Sequence, residues 1–303
     1  MNTVWITGVA GFTGRHLLDL LNELEDRPQI IGLGRSAGMD GLDDYFQVDL
    51  TQQQSTTVQE VARQYPPSII IHLAAATPPC SDEYMWSVNV SAVVNLIRGV
   101  VSTGHSDFRF LNVGSAAEYN ASEDGYLFES HADGGEMVYG RSKWAQGVLA
   151  RQLGKQYGFE VILARTFNLI GPGLPDKWVT ASLCRQFSQK EPGVIKVGNT
   201  KSERDFLDIR DVVRAYWLLA NQGEDGEVYN VCSGKATSIG ALIDHLDNKT
   251  GGIHSVEIDQ ERFRNVDLDR VYGNSDKLQK ATGWQQQISV EQSIEDMLEE
   301  TRA

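Results

Sequence analysis

Short apolar runs alternate with longer amphipathic segments through the first half of this 303-residue chain. A short apolar run predicts a strand, and apolar positions that recur every three or four residues predict a helix. Strands are predicted at residues 3–7, 30–33, 45–48, 68–73, 108–113 and 160–164, and helices at residues 16–24, 56–65, 84–101 and 139–157. The alternation predicts an α/β fold with a doubly wound, parallel Rossmann sheet.

After about residue 167 the alternation becomes less regular. Gly171, Pro172, Gly173 and Pro175 interrupt it, and the later apolar runs are shorter. Parallel α/β sheets bind their ligands at the carboxyl edge of the strands. We therefore expect a smaller, mixed C-terminal region that covers this edge.

Composition narrows the classes of partner. The net charge of -14 argues against nucleic acid, because phosphate backbones are bound by clustered Lys and Arg. No apolar stretch approaches the length of a membrane span, and no signal peptide is evident. The three cysteines are typical of free thiols, and the six histidines lack the spacing of metal ligands. We expect a cytoplasmic protein without a bound metal.

A glycine-rich turn at residues 8–14 lies between the first strand and the first helix. Gly8, Gly11 and Gly14 let the backbone turn tightly and approach a pyrophosphate, and the start of the helix supplies free N–H groups. This context of strand, turn and helix favours a bound dinucleotide over an ordinary tight turn. Phe12 and Thr13 are expected to contact the same cofactor.

The end of the second strand indicates which dinucleotide is bound. An acidic residue here would bind the ribose 2′-hydroxyl of NAD, whereas an arginine would bind the 2′-phosphate of NADP. Arg35 follows the strand and no acidic residue occurs before Asp40, which favours NADP(H) over NAD(H). The alternative for Arg35 is a solvated loop cation. Asp49, after the third strand, either faces the adenine or caps the helix that follows.

Tyr139 and Lys143 are four residues apart at the start of a predicted helix, so they share one face. An ammonium group favours phenolate, and we expect Lys143 to lower the pKa of Tyr139 toward working pH. Tyr139 would then be a general acid or base. Ser115 follows a predicted strand and is expected at the same edge of the sheet. The alternatives are a surface tyrosine packed on a lysine stem and a serine that caps a turn.

Together these features resemble the extended short-chain dehydrogenase/reductase superfamily along essentially the whole chain. Its motifs are matched by residues 72–75 (HLAA), 115–119 (SAAEY) and 139–143 (YGRSK), and Asn89 matches the asparagine of the helix after its fourth strand. The resemblance implies a dinucleotide-binding domain at residues 1–166 plus about 207–232. It also implies a nucleotide-sugar domain at about 167–206 plus 233–303.

The resemblance also assigns roles to single residues. Tyr139 would exchange a proton with a sugar oxygen, Lys143 would hold the nicotinamide ribose, and Ser115 would bind the reacting oxygen. Further cofactor contacts are implied for Asp49, Leu50, Ala74 and Ala75.

One branch of the superfamily is disfavoured. Residues 115–119, here called the serine loop, end at a tyrosine. Sugar 4,6-dehydratases need an additional carboxylate two residues before this tyrosine, and Ala117 stands at that position, next to Ala116. A methyl group cannot transfer a proton. Glu118 is one residue later, and in an extended segment it would point the other way.

The second half resembles the GDP-6-deoxy-4-keto-mannose reductases, which make GDP-rhamnose. The match includes residues 165–173, 195–199, 204–212 and 228–234. It implies NADPH-dependent reduction of a nucleotide-linked 4-keto-6-deoxy sugar, with GDP as the expected nucleotide. The substrate-binding residues that it implies are Asn168, Val179, Lys196, Arg204 and Arg264.

The chain departs from that family on the sugar side of the pocket. Leu169 replaces the usual histidine, Asn265 replaces a proline, and Asn120 replaces a glycine. Residues 136–138 replace a Pro–Ser–Pro-like segment that precedes the catalytic tyrosine in that family. The sugar or the stereochemistry of its reduction is therefore open.

Two other functions stay open: an epimerase that retains its NAD, and a non-catalytic dinucleotide sensor. The sensor is disfavoured because the serine, tyrosine and lysine are all present. From the resemblance we also expect a homodimer through the helices at residues 84–101 and 139–157, although these apolar faces would equally pack on the sheet.

Overall fold

The computed structural model describes residues 2–302 except residues 37, 53–55, 121, 123, 132–133 and 264–268. In chain order its strands are β1 (Thr3–Thr7), β2 (Gln29–Gly34), β3 (Asp44–Gln47), β4 (Ile69–His72), β5 (Arg109–Ser115), β6 (Tyr126–Leu127), β7 (Glu160–Thr166), β8 (Asn168–Ile170), β9 (Val194–Val197), β10 (Glu203–Arg204), β11 (Phe206–Asp208), β12 (Val228–Val231), β13 (Thr237–Ser238), β14 (Ser255–Ile258) and β15 (Arg270–Gly273). Its helices are α1 (Phe12–Asn22), α2 (Thr56–Gln64), α3 (Asp82–Trp86), α4 (Ala92–Val101), α5 (Val138–Tyr157), α6 (Val179–Phe187), α7 (Ile209–Gln222), α8 (Ile239–Thr250), α9 (Asp276–Thr282) and α10 (Val290–Arg302).

The centre of this described part is a parallel sheet in the order β12-β7-β5-β4-β1-β2-β3. Successive side chains along each strand point to opposite faces of the sheet, and each face is covered by a layer of helices. Trp5 and Ile70 pack with α2, α4 and α5 on one face, whereas Ile6 and Ile71 pack with α1 and α7 on the other. The predicted doubly wound Rossmann sheet is confirmed.

The helix predicted at residues 84–101 is not one regular element. Ser81 caps α3 by accepting the N–H of Tyr84 at 3.2 Å, and a π-helical turn at Ser87–Ser91 joins α3 to α4. The extra residue per turn changes which side chains face inward, and Asn89 in this turn is fully buried. The turn thus directs an amide into the interior beside the carboxyl edge of the sheet.

The C-terminal region contains three smaller sheets among the described residues. One has the order β13-β10-β15-β6, and the other two are the parallel pairs β8–β11 and β9–β14. Helices α6, α8 and α10 pack on β8, β9 and β11 around a separate apolar core. Phe12, at the start of α1, packs against both this core and the core of the main sheet.

Two later elements return to the main sheet. Strand β12 pairs with β7, and helix α7 packs on the same face as α1. The proposed division into residues 1–166 plus about 207–232 and the remaining C-terminal residues stays a prediction.

Candidate active site

The glycine turn lies against the loop that follows β4. Gly8 has a φ of 70°, and a Cβ added to it would lie 2.9 Å from the backbone nitrogen of Ala74. A Cβ on Gly14 would overlap the carbonyl of Val9. Gly11 is the N-cap of α1 and has no side chain to cap it, so the first N–H groups of the helix are available to an anion. The turn therefore fits a dinucleotide pyrophosphate.

The other predicted cofactor residues surround this turn. Phe12 and Thr13 are half-buried in the first turn of α1, and Ala74 and Ala75 are on the adjoining loop, with Ala75 exposed. The side chain of Leu50 is buried in the core, so it could contact a cofactor only through its backbone. These contacts stay predictions.

Arg35 is exposed at the end of β2, where a 2′-phosphate would lie. Its guanidinium donates a hydrogen bond to the hydroxyl of Tyr84 and lies 5.7 Å from the centre of that ring. Asp49 accepts the N–H and the hydroxyl of Thr51 at 3.0 and 2.8 Å, and these bonds, with the nearby charge of Arg35, lower its pKa. Asp49 thus closes a local turn, and α2 begins only at Thr56.

The serine loop packs closely against the first turn of α5. Ala116–Glu118 forms a 3-10 turn directly after β5, and Ser115 accepts the N–H of Ala117 at 3.2 Å. A Cβ on either Gly135 or Gly140 would overlap the carbonyl of Ala117. This close backbone contact places Ser115 beside the residue before Gly140, the predicted catalytic Tyr139.

Tyr139 and Lys143 face the inner side of α5. Burial raises the pKa of Tyr139 to about 12, a hydrogen bond with Ser115 opposes the rise, and the charge of Glu118 adds to it. The expected lowering of this pKa by Lys143 is therefore wrong, because removing a phenolate from water outweighs the other effects. Burial lowers the pKa of Lys143 to about 8, and Glu118 limits that fall.

A short chain of hydrogen bonds fixes α5 to the π-helical turn. The amide of Asn89 accepts the N–H of Ala76 at 2.7 Å and donates to the hydroxyl of Ser142 at 2.9 Å. That hydroxyl donates to the carbonyl of Tyr139 at 2.8 Å. Asn89 therefore connects the loop after β4 to the backbone of the tyrosine.

Glu118 does not stand in the extended segment that the sequence suggested. The segment is a 3-10 turn rather than extended, and the carboxylate is buried against Arg165 with an Oε2–Nε distance of 2.7 Å. Sequence reasoning missed this pair, since Arg165 is on β7, far away along the chain. The only sequence signal was a carboxylate inside the serine motif.

Two predicted substrate residues meet around Asp205. Both the N–H and the side-chain amide of Asn168 donate to the carbonyl of Asp205, at 3.0 and 3.2 Å, and Arg204 precedes it on β10. The Asp205 carboxylate accepts bonds from Ser233 and Gly234 at 2.6–2.9 Å. Burial raises its pKa to about 6, and these bonds oppose the rise. Sequence reasoning did not single out this carboxylate.

The predicted substrate residues Val179 and Lys196 lie in the C-terminal unit that α6, α8, α10 and strand β9 form around their own apolar core. Val179 begins α6, and Lys196 is exposed on β9; Gln186 of α6 joins the two elements by accepting the N–H of Lys196 at 2.8 Å. Arg264 lies outside the described residues. Lys177, just before α6, donates to the hydroxyl of Thr77 at 2.9 Å, which connects this unit to the loop after β4.

Comparison with known proteins places this site in a family. The family model described as GDP-mannose 4,6 dehydratase matches residues 5–297. The chain belongs to this family. The matched residues include the glycine turn, the serine loop and the helix that bears Tyr139 and Lys143.

Two relatives and one solved structure match this chain along nearly its whole length. GDP-6-deoxy-D-mannose reductase of Pseudomonas aeruginosa is 31% identical over 307 residues, which cover 97% of this chain and 95% of the relative. GDP-6-deoxy-D-talose 4-dehydrogenase of Aggregatibacter actinomycetemcomitans is 27% identical over 284 residues, with 92% and 91% covered. The structure of RMD from Pseudomonas aeruginosa complexed with NADPH has a TM-score of 0.86 and 29% identity, with 100% and 99% covered.

These findings confirm that the protein is an enzyme of the extended short-chain dehydrogenase/reductase type that uses a nicotinamide dinucleotide on nucleotide sugars. In the described part of the chain, no helix is both long and apolar enough to span a bilayer. Nor do the described residues contain a group of three or more His, Cys, Asp or Glu arranged to hold a metal ion.

Proposed function

We propose that this protein reduces a GDP-linked 4-keto-6-deoxy sugar to the GDP-6-deoxy sugar with NADPH, a reaction of the GDP-rhamnose type. One observation carries the proposal. The loop that bears Ser115 packs against the start of α5, which bears Tyr139 and Lys143, whereas Ala117 stands where a dehydratase needs its carboxylate. The site thus has the groups for carbonyl reduction and lacks the acid for elimination.

The protein's own residues supply the proton and the polarising contacts. When bound, NADPH provides the hydride for the carbonyl carbon. Tyr139 stays protonated at neutral pH, since burial raises its pKa to about 12, and its phenol gives a proton to the carbonyl oxygen. The Ser115 hydroxyl, which is hydrogen-bonded to Tyr139, would donate to the same sugar oxygen when the substrate is bound.

Lys143 completes the site as a cation. Its pKa of about 8 keeps the ammonium charged at neutral pH, so it can bind the ribose hydroxyls and stabilise the phenolate that Tyr139 becomes. Its ammonium has no hydrogen-bond partner among the residues that the structure describes, which fits a group that binds a ligand.

The nucleotide specificities rest on separate observations. Arg35 at the end of β2 and the NADPH in the Pseudomonas aeruginosa RMD structure support NADP(H). The 31% identity to a GDP-6-deoxy-D-mannose reductase supports a GDP-sugar. Because a GDP-6-deoxy-D-talose 4-dehydrogenase is also among the relatives, the product could have either of two configurations at the reduced carbon.

The test is turnover with a defined substrate. Purified protein is mixed with NADPH and GDP-4-keto-6-deoxy-mannose, NADPH loss is followed by absorbance, and the product sugar is identified by NMR. We expect NADPH loss equal to product formed. Tyr139→Phe should lower turnover by about 1,000-fold while NADPH affinity stays within about 2-fold. A preparation that binds NADPH and NADH but turns over with neither contradicts the reductase.

The same preparation distinguishes an epimerase. An epimerase that returns hydride to its own substrate would purify with NAD bound and interconvert two nucleotide sugars without net cofactor loss. Denaturing the purified protein and assaying the released dinucleotide separates the two functions, because a reductase exchanges its cofactor in each turnover.

A further inference from the structure

Glu118 is a buried carboxylate that bridges the catalytic serine and the neighbouring strand. It is 3% exposed, and one oxygen accepts the backbone N–H of Ser115 at 2.7 Å. The other accepts Nε of Arg165, which is 6% exposed, at 2.7 Å. A Cβ on Gly114 would overlap the first of these oxygens, so the strand is shaped to admit the carboxylate.

Arg165 is itself held in place. It donates to the carbonyl of Glu129 at 2.9 Å, and its guanidinium lies 5.0 Å from the ring centre of Tyr119. The hydroxyl of Tyr119 in turn donates to the side chain of Asn230 on β12. The carboxylate of Glu118 is therefore anchored to two strands of the main sheet, β5 through Ser115 and β7 through Arg165.

The fixed negative charge acts on the buried Lys143 and on the half-buried Tyr139. It raises the pKa of Lys143 against the effect of burial, and it adds to the raised pKa of Tyr139. The other groups that face them are His72 on β4, toward Lys143, and Tyr216 on α7, toward Tyr139. His72 is buried with its pKa lowered to about 3, so it is neutral and adds no competing charge.

We propose that Glu118 is a positioning residue: one carboxylate oxygen holds the backbone of Ser115, the other is held by Arg165, and the negative charge is thereby fixed beside the start of α5, where Tyr139 and Lys143 lie. The role rests on the proposed function only in assigning Lys143 to the cofactor. Each oxygen already accepts a hydrogen bond, one from the N–H of Ser115 and one from Nε of Arg165.

The test measures cofactor binding and needs no sugar. NADPH affinity is measured by fluorescence from pH 6 to pH 10 for the full-length protein and for Glu118→Gln. Wild-type affinity should fall as pH rises through about 8, when Lys143 loses its proton. In Glu118→Gln the midpoint of that fall should move to lower pH by about one unit, because an attractive charge has been removed. An unchanged midpoint overturns the proposal.

Two further variants separate charge from folding. Glu118→Asp keeps the charge and should keep the wild-type midpoint; a midpoint that moves with it contradicts the electrostatic role. Asp211→Asn is the matched control, since Asp211 is also buried, pairs with Arg214 and accepts a backbone N–H from Ile288 at 2.9 Å. It should lower stability without moving the midpoint.

If Glu118→Gln does not fold, Glu118→Gln/Arg165→Gln removes both charges and leaves no unpaired ion. It should still shift the midpoint downward, and no shift overturns the proposal. Failure of the sugar reduction does not affect this result, since binding of NADPH alone is measured.

Discussion

Lys143 is a lysine with 3% of its surface exposed, and burial lowers its pKa to about 8. A buried cation costs folding free energy unless it is paired, and the carboxylate whose charge acts on it, Glu118, is already bound to Arg165. Such a cost is typical of a binding group, because the ligand supplies the missing partners.

Lys143→Met should therefore stabilise the cofactor-free protein at pH 7, by about 1–3 kcal/mol, while it abolishes turnover. The folded pKa lies below the unfolded value of 10.5, so the cost of the charge is complete below about pH 8 and disappears as pH rises to 10.5. The stability difference between variant and wild type should shrink over this window. Denaturant unfolding at pH 7 and pH 10 measures it, and a variant less stable than wild type at pH 7 contradicts it.

Arg35 provides a second prediction, on cofactor preference. Arg35→Ala should weaken NADPH binding by about 10- to 100-fold and change NADH binding little, because a charge-assisted bond to the 2′-phosphate is lost. Arg27→Ala is the control, since Arg27 pairs with Asp43 just before the other end of β2. Fluorescence titration of both dinucleotides checks it. An equal loss for NADPH and NADH would contradict a contact with the 2′-phosphate, and no loss for either would show that Arg35 is a solvated loop cation.

The sequence indicated the catalytic residues but not their electrostatics. Ser115, Tyr139 and Lys143 stand in local motifs, so spacing alone was enough to suggest them. The sign of the Tyr139 pKa shift depends on how deeply the phenol is buried, which spacing does not express. Arg165 and Glu118 are brought together only by the pairing of β5 with β7.

At the scale of elements, the serine loop and α5 depend on each other for their positions. The carbonyl of Ala117 meets the backbone at Gly140, and a Cβ there would overlap it. No such backbone contact is present at Gly147 on the same helix, where the nearest atom to an added Cβ is the end of the Leu163 side chain, at 2.6 Å. The two glycines therefore serve as a matched pair.

Gly140→Ala should lower turnover by about 10- to 100-fold, because it separates Ser115 from Tyr139, and should destabilise the fold by about 1–3 kcal/mol. Gly147→Ala should keep turnover within about 3-fold, because a side-chain end can move. Steady-state rates and thermal unfolding of both variants check this. Equal losses of turnover in the two variants would contradict the importance of the contact between the serine loop and Gly140.

The regular elements were predictable because their signals are local. Apolar runs and amphipathic repeats gave the main strands and helices close to their observed bounds. Strands β6, β10 and β13 have only two residues each and exist through their pairing partners, so no local pattern marks them. The π-helical turn at Ser87–Ser91 was also hidden, since its apolar pattern reads as a continuous helix.

At the scale of the whole molecule, the helices near the active site retain apolar outer faces. Trp86 at the end of α3 and Trp144 on α5 are each 38% exposed, and Val90 and Val94 are half-buried. Aromatic side chains of this kind are enriched in protein interfaces. The proposed homodimer would cover them.

Sedimentation velocity should therefore give twice the mass of one chain at micromolar concentration. Trp144→Glu should shift the protein toward monomer, because a carboxylate would be buried in the interface. Trp178→Glu is the control, since Trp178 is 40% exposed in the C-terminal region. A wild-type monomer, or equal effects of both substitutions, would contradict the proposed dimer.

The central claim, that hydride moves from NADPH to a GDP-4-keto-6-deoxy sugar, is tested most directly by isotope transfer. Each stereoisomer of NADPH deuterated at the nicotinamide C4 is incubated with GDP-4-keto-6-deoxy-mannose, and the product is examined by NMR and mass spectrometry. The account predicts one deuterium at C4 of the 6-deoxy sugar from one stereoisomer only, and labelling that is about 1,000-fold slower with Tyr139→Phe. A product without deuterium, or bound NADPH that is never oxidised, would contradict it.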